Sequence, residues 1–224
     1  MSASPAVLMG LSISLATGLY GISFGALSSA AGLSLGQTMA LSLLMFTGGS
    51  QFAFIGSIAG GGPAALASAT LLGLRNLIYG AQMNAMFAPH GLRKLASAHV
   101  TIDESVATAM GQPDQAERRR GFWVAGVGVF LCWNLFTLLG ALLGNALGDP
   151  KTWGLDGAAV AAFLGLLWPR LRSRDTVTIG VAAAFVTLLT VPVLPAGVPL
   201  LLAAAAAAFV AWLLGRRTPA GGVS

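Results

Sequence analysis

The chain has 224 residues, of which 56% are hydrophobic and only 8% charged, with a formal net charge of +5. An ordinary soluble domain carries about 25% charged residues, so a water-soluble enzyme, a coiled coil and a disordered chain are all excluded. The mean hydropathy of +0.81 and the length point to one all-α polytopic membrane domain over residues 1–224.

Lipid leaves no backbone group free to bond water, so each long apolar run reads as a helix, and a crossing needs about 20 residues. The first run is Ala6 to Ala31 and the second Leu35 to Ile58, followed by a turn of Gly60, Gly61, Gly62 and Pro63. The third is Ala64 to Phe87. Next comes a polar stretch, 89–120, read either as a plain cytoplasmic linker or as a loop with an amphipathic surface helix carrying Leu95, Val100, Ile102, Val106 and Met110. The fourth run is Phe122 to Leu147, the fifth Leu155 to Trp168, the sixth Val177 to Val191 and the seventh Val198 to Leu214. The chain thus divides into a first half (6–88), the polar stretch, a second half (121–214) and a tail (215–224).

Basic residues mark the cytoplasmic side of a membrane protein. Seven alternating runs with the C-terminus inside place Arg93, Lys94, Arg118, Arg119, Arg120, Arg170, Arg172, Arg174, Arg216 and Arg217 within, and Lys151 alone outside. This arrangement predicts about seven transmembrane helices, with the N-terminus outside and the C-terminus inside. The N-terminus has no basic leader, so a removed signal peptide is not expected. The layout allows a parallel three-plus-one-plus-three repeat, with the fourth run as the inverting linker. Small residues at Gly21 and Gly25, and at Gly140, Gly144 and Gly148, predict close helix packing. The single cysteine, Cys132, excludes an internal disulfide, and no paired metal-ligand spacing occurs. No metal, cofactor or nucleic acid is expected.

Two places break the apolar pattern. Thr47-Gly48-Gly49-Ser50-Gln51 lies mid-way along the second run, where adjacent glycines weaken a helix. A helix broken at this depth exposes backbone groups to a ligand; the plain alternative is a close-packed crossing with Ser50 and Gln51 bonded to neighbours. Arg75 sits at the centre of the third run, where a charge costs at least ~2.5–3.5 kcal/mol. At helical spacing it shares a polar stripe with Ser68, Tyr79 and Gln82, with Asn76 to the side. All seven acidic residues fall in loops or at run ends, so Arg75 is expected to lack an acidic partner. It then either receives an anion such as a carboxylate or ties down backbone carbonyls near Gly48 and Gly49. Asn134 is expected to bond across helices, Trp153 and Trp168 to anchor at the interface, and His90 and His99 to be solvated. Asp103-Glu104-Ser105 either gates the inner mouth or caps a helix.

These segments also match a known pattern. Gly21-Ile22-Ser23-Phe24-Gly25, Phe46-Thr47-Gly48-Gly49-Ser50-Gln51-Phe52, Leu74-Arg75-Asn76-Leu77-Ile78-Tyr79-Gly80, Thr101-Ile102-Asp103-Glu104-Ser105 and Trp153-Gly154-Leu155-Asp156 resemble, in order and spacing, the AzlC family (the YgaZ or BrnF type). That family is the large subunit of branched-chain amino acid exporters. The resemblance implies a secondary transporter, not an enzyme. It would export leucine, isoleucine, valine and sometimes methionine across the cytoplasmic membrane, driven by the proton-motive force and assisted by a small AzlD-like membrane subunit. Self-association is also allowed for. With a zwitterionic substrate in view, Gly48, Gly49, Ser50, Gln51, Arg75, Asn76 and Tyr79 are the candidate binding residues. Phe24, Phe46, Phe52 and Phe54 are near enough in sequence to receive an apolar side chain. Asp103, Glu104 and Asp156 are the candidates for gating or proton coupling. The main competing reading is a channel or pore subunit for a small anion or zwitterion, with Arg75 as selectivity element. A hydrolase built on Ser50 lacks a base at membrane depth, and a packing scaffold needs no ligand.

Overall fold

A computed structural model describes residues 4–58, 63–147, 152, 154, 157, 160–161, 164, 167–195 and 197–217. Among these the chain is helical and has no strand. The elements are α1 (Pro5–Ala30), α2 (Leu35–Leu44), α3 (Gly49–Ile58), α4 (Pro63–Phe87), α5 (Leu92–His99), α6 (Asp103–Met110), α7 (Gln115–Leu147), a 3-10 turn (Trp168–Arg170), α8 (Arg174–Thr190) and α9 (Val198–Arg217). Among the described residues, three helices are long and apolar enough to cross a membrane: α1, the Gln115–Gly144 part of α7, and the Val198–Arg216 part of α9. At 25 residues α4 has the length, about 37 Å at 1.5 Å per residue, but Arg75, Asn76, Gln82 and Asn84 reduce its apolarity. The fifth run falls mostly outside the described residues, as do Gly148, Trp153 and Asp156.

The frame is a parallel pair. Gly10 of α1 abuts Val124 and Ala125 of α7, Gly18 abuts Cys132, Gly25 abuts Thr137 and Ala141, and Gly144 of α7 abuts Ala26. The contacts advance in step along both helices, so α1 and α7 point the same way. A Cβ at Gly25 would lie 2.1 Å from the Thr137 carbonyl oxygen, and one at Gly140 2.1 Å from that of Ile22. The expectation of close packing through Gly21, Gly25, Gly140 and Gly144 is met, and it sets the backbones as near as they can come. In lipid such packing replaces the hydrophobic drive that helices have in water.

The second run is not a crossing. α2 starts beside the end of α1, where Ser28 and Thr38 share a hydrogen bond of 2.9 Å, and descends to Gly48, which faces the Tyr20 hydroxyl. There the chain turns back. α3 climbs until Ile58 lines one groove with Leu33 and Gln37 from the start of α2. α4 then runs the other way along α3, with Gly73 against Ser50, and ends with Phe87 beside Phe122, ring centroids 5.5 Å apart.

The polar stretch is only partly at the surface: α5 is exposed except at Ser97, as a surface helix would be, whereas α6 is largely buried. α5 leads inward and α6 returns. Their tip places Val100 against Gly126 and Ile102 in a core cluster with Val129 and Trp133. α6 comes out with Thr108 against Gly121 and Gln112 beside Met9. Ser105, Val106, Thr108 and Ala109 are buried, which a solvated linker would not allow. The region therefore holds two re-entrant hairpins, α2–α3 from one end and α5–α6 from the other. Each follows a long helix, α1 and α4 respectively, and the two helices run in opposite directions. This inverted arrangement replaces the expected parallel three-plus-one-plus-three repeat, because the second run reverses at Gly48 instead of crossing.

The termini are corrected by the same geometry. Ser4 hydrogen-bonds Glu117 at the start of α7, and α8 starts near Arg170, which reaches Tyr79 in the later half of α4. α9 begins beside Ser68, whose hydroxyl donates to the Gly197 carbonyl at 2.8 Å, and returns from there. Both described termini thus lie at the basic end of the bundle, not at opposite ends. Direction of travel explains the error: the α2–α3 hairpin consumes an apolar run without changing sides.

Two outcomes follow from this frame. Gly140→Ala should destabilise the protein by about 1–3 kcal/mol or more, read as a lowered melting temperature in detergent, whereas Gly56→Ala, with nothing within 4 Å of the added methyl, should not. In a Cys132→Ser background, single cysteines placed at Ser4 and at Arg174 should react with an impermeant maleimide from the same side of sealed vesicles; labelling from opposite sides would refute the parallel frame.

Candidate functional site

The two hairpin tips meet half-way along the frame and enclose a small cavity. Thr47, Gly48 and Gly49 come from the first tip, Ile102, Asp103 and Glu104 from the second, and Arg75 from α4. Tyr20 and Thr17 of α1, Phe46, Phe52, and Val129 and Trp133 of α7 complete the wall. Its volume is about 20 Å³, room for a water molecule and not for anything larger. The site is closed.

Each tip is built by the same device. In the first, Gly48 takes φ +58°, a left-handed conformation that glycine adopts without steric cost. The Gly48 N–H donates to Gln51 Oε1 at 3.0 Å, and Gln51 Nε2 donates to the Leu41 carbonyl at 2.9 Å. In the second, the Ile102 N–H donates to Ser105 Oγ at 3.0 Å, and that hydroxyl donates to the Val100 carbonyl at 2.8 Å. Both clips tie a residue's N–H to a side chain three positions on, and that side chain back to the preceding helix end. They satisfy backbone groups that lipid would leave bare. They also aim the first turns of α3 and α6, with their partial positive charge, at the cavity.

Arg75 has an acidic partner, contrary to the expectation. Its Nη2 lies 2.8 Å from Asp103 Oδ2 and donates to the Thr47 carbonyl at 3.0 Å. The sequence places Asp103 in a polar stretch, and the re-entrant fold carries it to Arg75. The alternative that Arg75 ties a backbone carbonyl at the break also holds, through Thr47. Arg75 thus bridges both tips. Its side chain is 25% exposed and that of Asp103 9%, and Arg75 Nε is buried with no hydrogen-bond partner. Glu104 is the cavity's second carboxylate. Thr17 shares the cavity wall with it, and Glu104 has no ion-pair partner among the described residues.

The other expected site residues divide. Gly48 and Gly49 line the cavity. Gln51 is fully buried with both ends of its amide committed to the clip, so its role is structural. Ser50 packs against Gly73 outside the cavity, its hydroxyl unpartnered and with no base to activate it. Asn76 is off the lining, its Oδ1 buried and unpartnered. Tyr79 points its hydroxyl to Arg170 Nη2 at 3.1 Å, away from the site. Asp156 lies outside the described residues. Phe46 and Phe52 line the wall, Phe24 lies behind them in the core, and Phe54 faces the α2–α3 groove. Asn134 bonds its own helix at Phe130, 2.8 Å, instead of a neighbour. His99 is exposed, as expected, and its ring also stands 6.0 Å from Phe46 and 5.3 Å from Phe130. Of Asp103-Glu104-Ser105, the serine makes the helix-start bonds and the two acids are free to face the cavity.

Sequence reading missed Thr17, Tyr20, Ile102, Val129 and Trp133. The Trp133 ring packs 5.0 Å from Tyr20 and 5.9 Å from Phe24, and its Nε1 is buried without a partner. A buried indole N–H usually finds an acceptor, so a tryptophan beside Asn134 in mid-helix was the available signal. The AzlC protein family model matches residues 12–147, more than half of the chain and all of both hairpins. The chain belongs to the AzlC family. That family is associated with branched-chain amino acid transport and is not a family of enzymes. No curated protein and no solved structure matches the chain.

The ion pair can be tested as a unit. Asp103→Asn strands a largely buried guanidinium and should cost about 1–3 kcal/mol. The same change in an Arg75→Gln background should cost clearly less, which a double-mutant cycle of melting curves in detergent would read as coupling. Equal costs in both backgrounds would mean that the pair does not hold the tips together.

Proposed function

We propose that this AzlC protein is a secondary transporter that exports branched-chain and related neutral amino acids across the cytoplasmic membrane. The observation that carries the reading is the Arg75–Asp103 pair inside a narrow, aromatic-walled cavity between two re-entrant tips. A zwitterion has the same two charges as that pair. Its carboxylate would take the Arg75 fork, a fit suited to two parallel hydrogen bonds, with help from the first turn of α3. Its ammonium would take Asp103 and the Thr47 carbonyl. Phe46, Phe52, Ile102, Val129 and Trp133 would receive a branched aliphatic side chain. Gly48 and Gly49 would contribute backbone only, and Asn76 and Tyr79 would support the α4 surface.

The cavity is too small for leucine as it stands, so loading requires the tips to part. Substrate would exchange for the internal ion pair, so the separated charges are never left bare. The α2–α3 tip would open toward one side and the α5–α6 tip toward the other. The basic end would be cytoplasmic, with α1, α4, α7, α8 and α9 crossing and the second run re-entrant. Glu104 is the residue we assign to coupling. It is the cavity carboxylate that makes no ion pair among the described residues, which leaves it open to carry the coupled proton. Asp103, engaged with Arg75, is a gate, and Asp156 is a weaker candidate. A small AzlD-like subunit, and self-association, fit the exposed apolar flanks but have no surface of their own assigned.

Efflux from cells preloaded with labelled leucine, valine or methionine tests the scheme. Wild type, alone or with its neighbouring small membrane protein, should export. Arg75→Gln at matched membrane levels should lose export, and normal transport by it would end the proposal. Glu104→Gln should keep leucine–leucine counterflow while losing its acceleration by a pH gradient. If counterflow fails as well, Glu104 belongs to substrate binding and not to coupling. Flux that shows no counterflow at all, even in wild type, would favour the channel reading.

A further inference from the structure

A second and larger chamber, about 600 Å³, opens at the basic end between α4, α5 and the start of α7. Its apolar floor is the half-buried Phe87 and Trp123, which lie over the fully buried Met83 and Phe122. The rim is Arg93, Arg119 and His90, and no acidic residue lines it. Two left-handed residues in the turn before α5, Ala88 (φ 42°) and Gly91 (φ 57°), set the direction in which α5 leaves α4. Arg119 stands over the Phe87 ring, 5.8 Å from its centroid, and donates to the Phe87 carbonyl at 3.5 Å. Arg93 is exposed and has no ion-pair partner among the described residues.

We propose that this chamber binds an anionic phospholipid, with the headgroup phosphate held by Arg93 and Arg119 and the upper acyl chains lying on Phe87 and Trp123. Three observations converge on that occupant. Phe122 opens the apolar part of α7, so the chamber lies at the depth where headgroup meets acyl chain. Its apolar floor suits a lipid and would be left wet by a free anion. Its rim is cationic with no internal counter-charge, the pattern of basic pockets between membrane helices that take lipid headgroups. Arginine adds a planar fork matched to phosphate. Trp123 has the amphipathic ring favoured at that boundary. The inference rests on the membrane reading and is independent of what the protein transports.

Native mass spectrometry of the full-length protein in detergent tests it with three probes: phosphatidylglycerol, phosphatidylcholine of the same chains, and inorganic phosphate. Phosphatidylglycerol should be retained in preference to phosphatidylcholine. Arg93→Ala and Arg119→Ala should each weaken its retention about fivefold, while Arg216→Ala, a basic residue on α9, should not. Arg93→Ala alone suffices if Arg119→Ala fails to fold, because Arg93 is exposed and unpaired. Equal retention of the two lipids, wild-type retention by Arg93→Ala, or complete displacement of phosphatidylglycerol by inorganic phosphate would overturn the proposal.

Discussion

A guanidinium half-way through an apolar bundle is the constraint from which the rest of this architecture follows. Arg75 is held in place by an acid, Asp103, and by a carbonyl, that of Thr47. Neither could be supplied by a regular crossing helix. A mid-span aspartate would bear its own insertion cost, and the carbonyls of an intact helix are already bonded. The chain meets both needs with hairpins. One brings an acid in from a polar stretch, and the other ends a helix early enough to free a carbonyl at the right depth.

The hairpins in turn need a rigid wall and satisfied tips. The wall is the glycine-lined contact of α1 with α7, where two backbones touch and neither helix can slide without collision. The tips are secured by Gln51 and Ser105, which play the same part in two unlike sequences. Phe46, Ile55, Ile102, Val129, Trp133 and Phe24 then form one cluster drawn from both hairpins and both frame helices. Packing, hydrogen bonding and the buried ion pair therefore converge at one level of the bundle. A change at any one of them is felt at the cavity.

Much of this was legible in the residues and some was not. Composition fixed the all-helical membrane class, the glycine pair at 48 and 49 located the first break, and the cost of a buried charge marked Arg75. The reversal at Gly48 was illegible, because hydropathy registers how apolar a run is and not which way it travels. Leu35 to Ile58 has the length of a crossing, whether straight or doubled back. For the same reason Asp103 was assigned to a loop: the 89–120 stretch is polar enough for water, and only the burial of Ser105, Val106, Thr108 and Ala109 shows that it folds inward. The repeat was hidden too. Thr47 and Thr101 precede the two tips, but Gly-Gly-Ser-Gln and Ile-Asp-Glu-Ser share a hydrogen-bond pattern without sharing side chains or backbone conformation. Gln51 was read as a ligand because its position was right, although its amide is spent on the backbone.

The opposed hairpins also bear on thermodynamic rectification. When one half of a molecule is an upside-down counterpart of the other, opening at either face breaks comparable sets of contacts: a clip, an aromatic or aliphatic wedge, and one side of a shared ion pair. For a transporter of the proposed kind the two opened forms would sit at similar free energies, and the protein would impose little bias of its own between them. On the proposed function, net flow is set by concentration and ion gradients, and the same molecule works as an exporter or as an importer according to which side is fuller.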